Sequence, residues 1–235
     1  GWMSGWREMQ SGDVVLAGRA LETGADGRAA LALPGGLSAR MDRDTRVTMV
    51  DREHLRLERG TLYVDSGSNG ARASRLQVQT ASGTVRHLGT QYELRLLPAG
   101  MRLRVREGRV EWRSAAGVVE SGHAGEQLVV SGDGGVIREP TPRYGASWDW
   151  VSEAAPAIDL EGMPLTRFLA WAGRELGRDV KFSPALYEPE LATIVVHGST
   201  SGLTPAEALH AVLATTSVKA TIADGQIVVA RRGPS

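Results

Sequence analysis

The side chains best suited to acid-base or metal chemistry are five histidines, His54, His87, His123, His197 and His210, and they stand apart from one another along the chain. No HxH or HExxH pair occurs, so no single element offers two imidazoles to a metal ion, and ligands spread over separate strands leave no spacing to read. The nearest approach to a nucleophile elbow is "GSTSG", residues 198–202, centred on Thr200. It reads better as a polar loop leading into a helix cap at Thr204. Asp42 and Asp44 flank Arg43 in a DxD-like arrangement, which an Asp-rich tight turn between strands explains more simply. A hydrolytic site built from His87, Thr90 and Asp65 is conceivable only if the fold gathers them. The stretch "VRHLGTQYEL", residues 85–94, poses that choice sharply, because a His, a Gly and a Thr interrupt an otherwise strand-like run.

The chemistry that is missing is also informative. The chain has no cysteine, which removes thiolate metal sites, disulfides and a Cys nucleophile. No GxGxxG or GxxxxGK[ST] occurs, and "SGDGG", residues 131–135, ends a strand with no helix behind it to receive a phosphate. Lys plus Arg and Asp plus Glu both total 27, so no global positive field would gather nucleic acid. Only 5% of residues are aromatic and no basic-aromatic stripe lies on any strand. The expectation is a binding or signalling protein, not an enzyme, with no catalytic residue, metal or cofactor.

The elements that would position any site divide into two kinds. The chain's 235 residues, 42% hydrophobic and 23% charged, fit one large or two smaller globular domains, and no run reaches the roughly 20 apolar residues of a membrane span. From Asp13 to about Val130 glycine recurs every few residues, and the stretches between alternate apolar with polar at period two. "HLRLERG", "MRLRVREG" and "RVEWRS" place Leu55 and Leu57, Leu103 and Val105, and Val110 and Trp112 on one face and Arg or Glu on the other. These read as strands with one face in solvent. About a dozen such strands bury their apolar faces only by folding onto one another, as a sandwich, a roll or a solenoid-like stack.

"PTPRYGASWDWVSEAAPA", residues 140–157, breaks the pattern with three prolines and two tryptophans. It reads as a connection, in which Trp148 and Trp150 either anchor one domain on the other or form a local satellite cluster. Beyond it the period lengthens. "MPLTRFLAWAGRELG" puts Leu165, Phe168, Leu169, Ala172 and Leu176 on one helical face and ends at Gly177. "TPAEALHAVLATT" opens with a capping box at Thr204 and Glu207 and has Pro205 at the first helical position. With strand-like runs "AIDL", "DVKF", "ATIVVHG", "VKATI" and "QIVVA" around the helices, the order is βαββαββ. The expected organisation is therefore an all-β domain of rolled or solenoid-like antiparallel sheets at 1–139, a linker at 140–156 and a small α+β domain at 157–232.

If residues 85–94 form one regular strand, Val85, His87, Gly89 and Gln91 face one way, and Arg86, Leu88, Thr90, Tyr92 and Leu94 face the core. Gly89 then serves as a bulge or as a point where another strand approaches closely.

"VQTASGTVRHLGTQYEL", followed by "LRVREGRVEW" and "GHAGEQL", resembles the FecR family of cell-surface signalling proteins. The Leu88-Gly89-Thr90-Gln91-Tyr92 step matches its LGT-aromatic signature, and Val105, Gly108 and Val110 match its V-x-x-G-x-V pair. "RLERGTLYVD" is similar to the family's L-x-x-G-x-aromatic-x-V segment through Leu57, Gly60, Tyr63 and Val64. The C-terminal stretches resemble the STN domain of secretins and signalling TonB-dependent receptors, with "LTPAEALHAVL" the most typical part.

The resemblance implies the periplasmic ectodomain of a single-pass inner-membrane regulator, whose membrane helix and anti-sigma segment are absent from this sequence. The implied partner is the signalling domain of a TonB-dependent outer-membrane receptor. Ile194, Val195 and Val196 are the candidate strand for that contact by β-augmentation. Their continuous apolarity fits an ordinary central strand better. A different reading is an envelope module that binds glycan or protein without any sigma-factor circuit.

Overall fold

Every loop between Glu22 and Pro140 that joins two sheets brings the chain from one face of a sandwich to the other. The computed structural model describes residues 8–67, 75–87, 89–184, 186 and 191–232. One sheet holds, in spatial order, β1 (Arg19–Glu22), β4 (Arg46–Met49), β5 (His54–Arg59), β7 (Gln77–Thr80), β8 (Gly83–His87), β11 (Arg109–Arg113) and β12 (Val119–His123). The facing sheet holds β2 (Ala29–Leu33), β3 (Leu37–Met41), β6 (Thr61–Asp65), β9 (Gln91–Leu97), β10 (Gly100–Glu107), β13 (Glu126–Ser131) and β14 (Val136–Pro140). Both sheets take up their strands in chain order, so the polypeptide weaves between them as it advances.

Within these two sheets the described pairings are antiparallel except for β5 with β7, which run parallel. The exception follows from the weave. A single strand, β6, separates β5 from β7, whereas two strands in the other sheet separate β1 from β4 or β8 from β11. The two inner faces interdigitate through Val47, Leu55, Leu57, Val78, Val85, Val110 and Trp112 from one sheet and Met41, Leu62, Val64, Tyr92, Leu94, Leu103 and Val105 from the other. All are buried, as period-two alternation requires of a two-layer core.

A 3-10 turn at Ala146–Trp148 and the short helix α1 (Asp149–Glu153) then lead to the C-terminal part. Its elements are β15 (Met163–Pro164), α2 (Leu165–Leu176), β16 (Asp179–Phe182), β17 (Val195–Val196), α3 (Pro205–Ala214), β18 (Val218–Ala223) and β19 (Gln226–Arg231). A three-stranded sheet, β16-β19-β18, and the pair β15-β17 pack with the helices around Phe168, Leu169, Leu209, Leu213, Ile227 and Val229. Among the described elements the order is the expected βαββαββ, but the first strand is Met163–Pro164; "AIDL" contributes only the bridge Asp159 to Ser199. α3 carries the full capping box, the Thr204 side chain accepting from the Glu207 N–H while Glu207 accepts from the Thr204 N–H. Among the described residues no helix is long and apolar enough to cross a membrane.

The stretch 85–94 is not one regular strand. β8 ends in one sheet and β9 begins in the other, with Gly89 and Thr90 in the crossing. Val85 is therefore buried from its own sheet, as are Tyr92 and Leu94 from theirs, whereas Arg86 is exposed. Gly89 has φ +73°, and a Cβ there would meet nothing within 4 Å, so it serves as a left-handed corner and not as a point of close approach. The close approach is at Gly108, in the crossing from β10 to β11. A Cβ on Gly108 would overlap the carbonyl oxygen of Gly89 and come within 2.8 Å of the Thr90 Cγ2. Leu88 lies outside the described residues.

Candidate functional site

Two of the strands expected to carry a solvated face behave differently. On β5, Arg56 and Glu58 are exposed. On β10, Met101, Leu103 and Val105 enter the sandwich core, yet the opposite row is also covered, Arg104 at 5% and Arg106 at 1% exposure. The central part of the second sheet's outer face is thus buried although its side chains are ionic.

Register explains which charges meet there. Arg40 of β3 stands across from Tyr63 of β6, Tyr63 across from Glu93 of β9, and Glu93 across from Arg104 of β10. The next row places Ser38 opposite Asp65 and Asp65 opposite Gln91. Alternating charge across neighbouring strands is the sheet's own form of ion pairing. Glu93, fully buried, accepts from Arg104 Nε at 3.1 Å and Nη2 at 2.6 Å, from Arg102 at 3.3 Å and from the Trp150 indole N–H at 2.9 Å.

The lid over this face comes from the connecting segment. Trp148, Trp150 and Val151 form a small cluster with Tyr63, whose ring meets both indoles edge-on at 6.3 and 6.5 Å. The guanidinium of Arg104 lies 4.5 Å and that of Arg106 5.0 Å from the Trp148 ring centre, a cation-π arrangement strengthened by exclusion of water. Arg104 donates to the Ser147 carbonyl, Arg40 to the Val151 carbonyl, and Arg106 and Arg143 each donate to the other's carbonyl at 2.8 Å. The tryptophans are therefore both a separate cluster and an anchor, seated on the sandwich.

The last turn of α2 reaches the same face from the other side. Glu175 accepts two 2.8 Å hydrogen bonds from Arg40, with side-chain exposures of 7% and 1%. Arg174 pairs with Asp65 and, at 2.6 Å, with Glu107, while Gln91 bridges Asp65 at 2.9 Å. Gly177 closes the helix with φ +64°, and a Cβ there would overlap Arg106 Nε and the Arg143 carbonyl. Only glycine permits this approach.

The ionisation states follow from these contacts. Burial disfavours a charged Arg40, but Glu175 outweighs it and holds the guanidinium above its usual value. At Arg104 burial prevails over Glu93 and lowers it. Burial would raise the Asp65 carboxyl, yet the Arg174 guanidinium, with Gln91 and the Gly67 N–H, leaves it below the usual carboxylate range. Burial pushes the Tyr63 phenol up, so it stays neutral.

This arrangement holds two surfaces together through paired ionic groups. Asp65 is committed to Arg174, Thr90 lies in the crossing between sheets, and the His87 side chain is not among those described, so the three do not form a described constellation. Among the described residues no group of three His, Asp or Glu side chains is placed to hold a metal ion. Asp42 and Asp44 occupy the tight turn between β3 and β4, Asp44 with φ +50°.

Ile194–Val196 are not a central strand. β17 pairs only with β15 among the described residues, Val196 is buried, Val195 is 50% exposed, and Ile194 packs partly against the C-terminal core. Continuous apolarity misleads here because the strand is too short to have two buried faces. Sequence reasoning also passed over Arg40, Glu93, Arg104, Arg106, Arg174 and Glu175. One signal was present: Glu175 falls seven residues after Phe168, on the apolar side of α2, where an unpaired carboxylate is costly.

No curated protein matches the chain. Two solved structures of a protein described as a "putative anti-sigma factor" from Parabacteroides distasonis are similar at 15% and 14% identity, each with a TM-score of 0.48. Each comparison covers 92% of this chain, with 99% and 100% of the other. Residues 19–111, from the start of β1 into β11, match the family described as FecR protein.

Proposed function

We propose that the chain is the periplasmic, non-enzymatic part of a FecR-like sigma-factor regulator that receives a signal by protein-protein contact. The FecR match over residues 19–111 carries this reading. The C-terminal part is read as an STN-like module on its βαββαββ order and the "LTPAEALHAVL" helix. In this reading it meets the signalling domain of a TonB-dependent outer-membrane receptor, and the contact is passed to a membrane helix and cytoplasmic anti-sigma segment outside this sequence.

Strand addition is the mode that suits a small mixed sheet. β17 supplies only two residues, Val195 and Val196, too short a ladder to hold a partner alone. β18, six residues long and mostly exposed at the end of the three-stranded sheet, has the length for it, with Val195 as an accessory apolar contact.

The test is titration of the purified chain with the signalling domain of a TonB-dependent receptor from the same organism. Binding at about 10 µM or tighter, a free energy near −7 kcal/mol, is the expected result. Two folded proteins that show no association at several times that concentration would overturn the reading.

A further inference from the structure

We infer that the junction between the sandwich and the C-terminal part is a polar latch that opens as a unit, α2 and its sheets leaving while Arg143–Val151 stay on the sandwich. The two sides have separate hydrophobic cores, one between the two large sheets and one around Phe168 and Leu209, with no residue in common. The third cluster, Tyr63 with Trp148, Trp150 and Val151, belongs to the sandwich side. Opening therefore leaves every apolar cluster intact.

Apart from the close packing of Gly177 on Arg106 and Arg143 and of Gly225 on the Tyr144 ring, what crosses the plane is ionic or polar. Arg40 meets Glu175, Asp65 and Glu107 meet Arg174, Gln91 Nε2 reaches the Arg174 carbonyl at 3.4 Å, and the Arg178 guanidinium lies 4.2 Å from the Tyr144 ring centre. Such pairs are strong in place, yet each replaces full hydration of both charges, so the net gain over the separated state is small.

The closed form also leaves groups unsatisfied. Arg40 Nε, Arg106 Nη1, Arg174 Nε and the Tyr63 hydroxyl are buried with no hydrogen-bond partner among the described residues. Opening returns polar groups at this plane to water, which favours the open form.

The connecting segment is built to divide there. Up to Val151 it is fastened to the second sheet through Trp148, Trp150, Ser147 and the Val151 carbonyl. Beyond Glu153, which pairs with Arg28, the run Ala154-Ala155-Pro156-Ala157 carries no side chain able to hold it down. A hinge at 154–157 lets the docked and open states interconvert, and a partner that prefers one of them shifts the balance. The latch does not depend on the signalling reading: a receptor domain that fails to bind leaves it standing, and a latch that fails to open leaves the receptor contact standing.

Charge reversal at the centre tests it. Glu175→Arg sets two guanidinium groups against each other and should raise the rate of cleavage within 152–158 by a broad-specificity protease at least about tenfold, since cleavage follows the open population. The radius of gyration in solution scattering should rise with it. Arg40→Glu/Glu175→Arg, which restores opposite charges, should bring the cleavage rate most of the way back, and Arg174→Gln should give a smaller increase. Slow amide exchange in both cores should persist in all three variants. Unchanged cleavage in Glu175→Arg and Arg174→Gln would overturn the latch, and so would loss of slow exchange in either core, because the junction would then be part of a single cooperative unit.

Discussion

Arg40 on β3 and Glu175 in the last turn of α2, 135 residues apart in sequence, form a two-pronged ion pair at 2.8 Å with almost no solvent access. Neither charge has a hydrated alternative while the junction is closed. Replacing Glu175 with Gln leaves the buried guanidinium without a counter-charge, which costs the closed junction about 3–5 kcal/mol and shifts it to the open form, read as faster cleavage within 152–158. Removing both charges, as in Arg40→Met/Glu175→Leu, should recover most of that loss. Apolar side chains of similar length incur no desolvation penalty. A double variant no more stable than Glu175→Gln would show that Arg40 acts mainly through the Val151 carbonyl.

Acid should weaken the junction through Asp65. Its carboxyl titrates below its unfolded value of about 3.9, because Arg174, Gln91 and the Gly67 N–H stabilise the anion more than burial opposes it. The unfolded chain therefore takes up the proton more readily than the folded one. The contribution is fully present above about pH 4 and disappears as pH falls through the folded value. Urea midpoints measured from pH 7 down to pH 3 should fall more steeply for the parent than for Asp65→Asn. Parallel curves would mean that other carboxylates carry the acid sensitivity.

Much of this architecture was legible from local pattern, and the functional surface was not. Period-two runs such as "MRLRVREG" place Leu103 and Val105 inward whatever lies outside, and the Thr204-Glu207 capping box is a self-contained signal with two residues between its partners. The fate of Arg104 and Arg106 depends on a partner more than 35 residues away, the segment around Arg143 and Trp148. A solvated strand face and one covered by tryptophans look the same in sequence, since both alternate apolar with charged. The Arg40-Glu175 contact is less accessible still, because it needs the docking of two separately cored parts. The glycine-centred motifs were readable for the opposite reason. Gly60, Gly89 and Gly108 stand where the chain crosses between sheets with positive φ, so backbone geometry pins the residue type locally.

Trp150 links the connecting segment to the buried row through one hydrogen bond, its indole N–H to Glu93 at 2.9 Å. Trp150→Phe keeps an aromatic ring in the cluster with Tyr63 and removes that donor. A bond to a charged acceptor in a buried place contributes about 1.5–3 kcal/mol, and the substitution should cost an amount in that range by urea unfolding. The Trp148 variant is expected to differ in kind. Its indole N–H goes to the Pro142 carbonyl, while its ring face carries Arg104 and Arg106, so Trp148→Phe loses cation-π attraction as well as the bond.

Gly89 and Gly108 give the sandwich its most discriminating test, because they share a positive φ and differ in their surroundings. Gly89 has φ +73° and Gly108 has φ +74°. An alanine at either position bears the left-handed penalty of about 1–2 kcal/mol. At Gly89 nothing else stands in the way, so Gly89→Ala should lose about that amount and no more. At Gly108 the new methyl collides with the Gly89 carbonyl and lies 2.8 Å from the Thr90 Cγ2, so backbone in two crossings must move. Overpacking of that kind adds about 1–3 kcal/mol, and Gly108→Ala should be the more damaging of the two. Thermal midpoints of the single variants settle the order. Equal losses would place the constraint in the backbone angle alone, and a larger loss at Gly89 would reverse the assignment of which crossing is packed against the other.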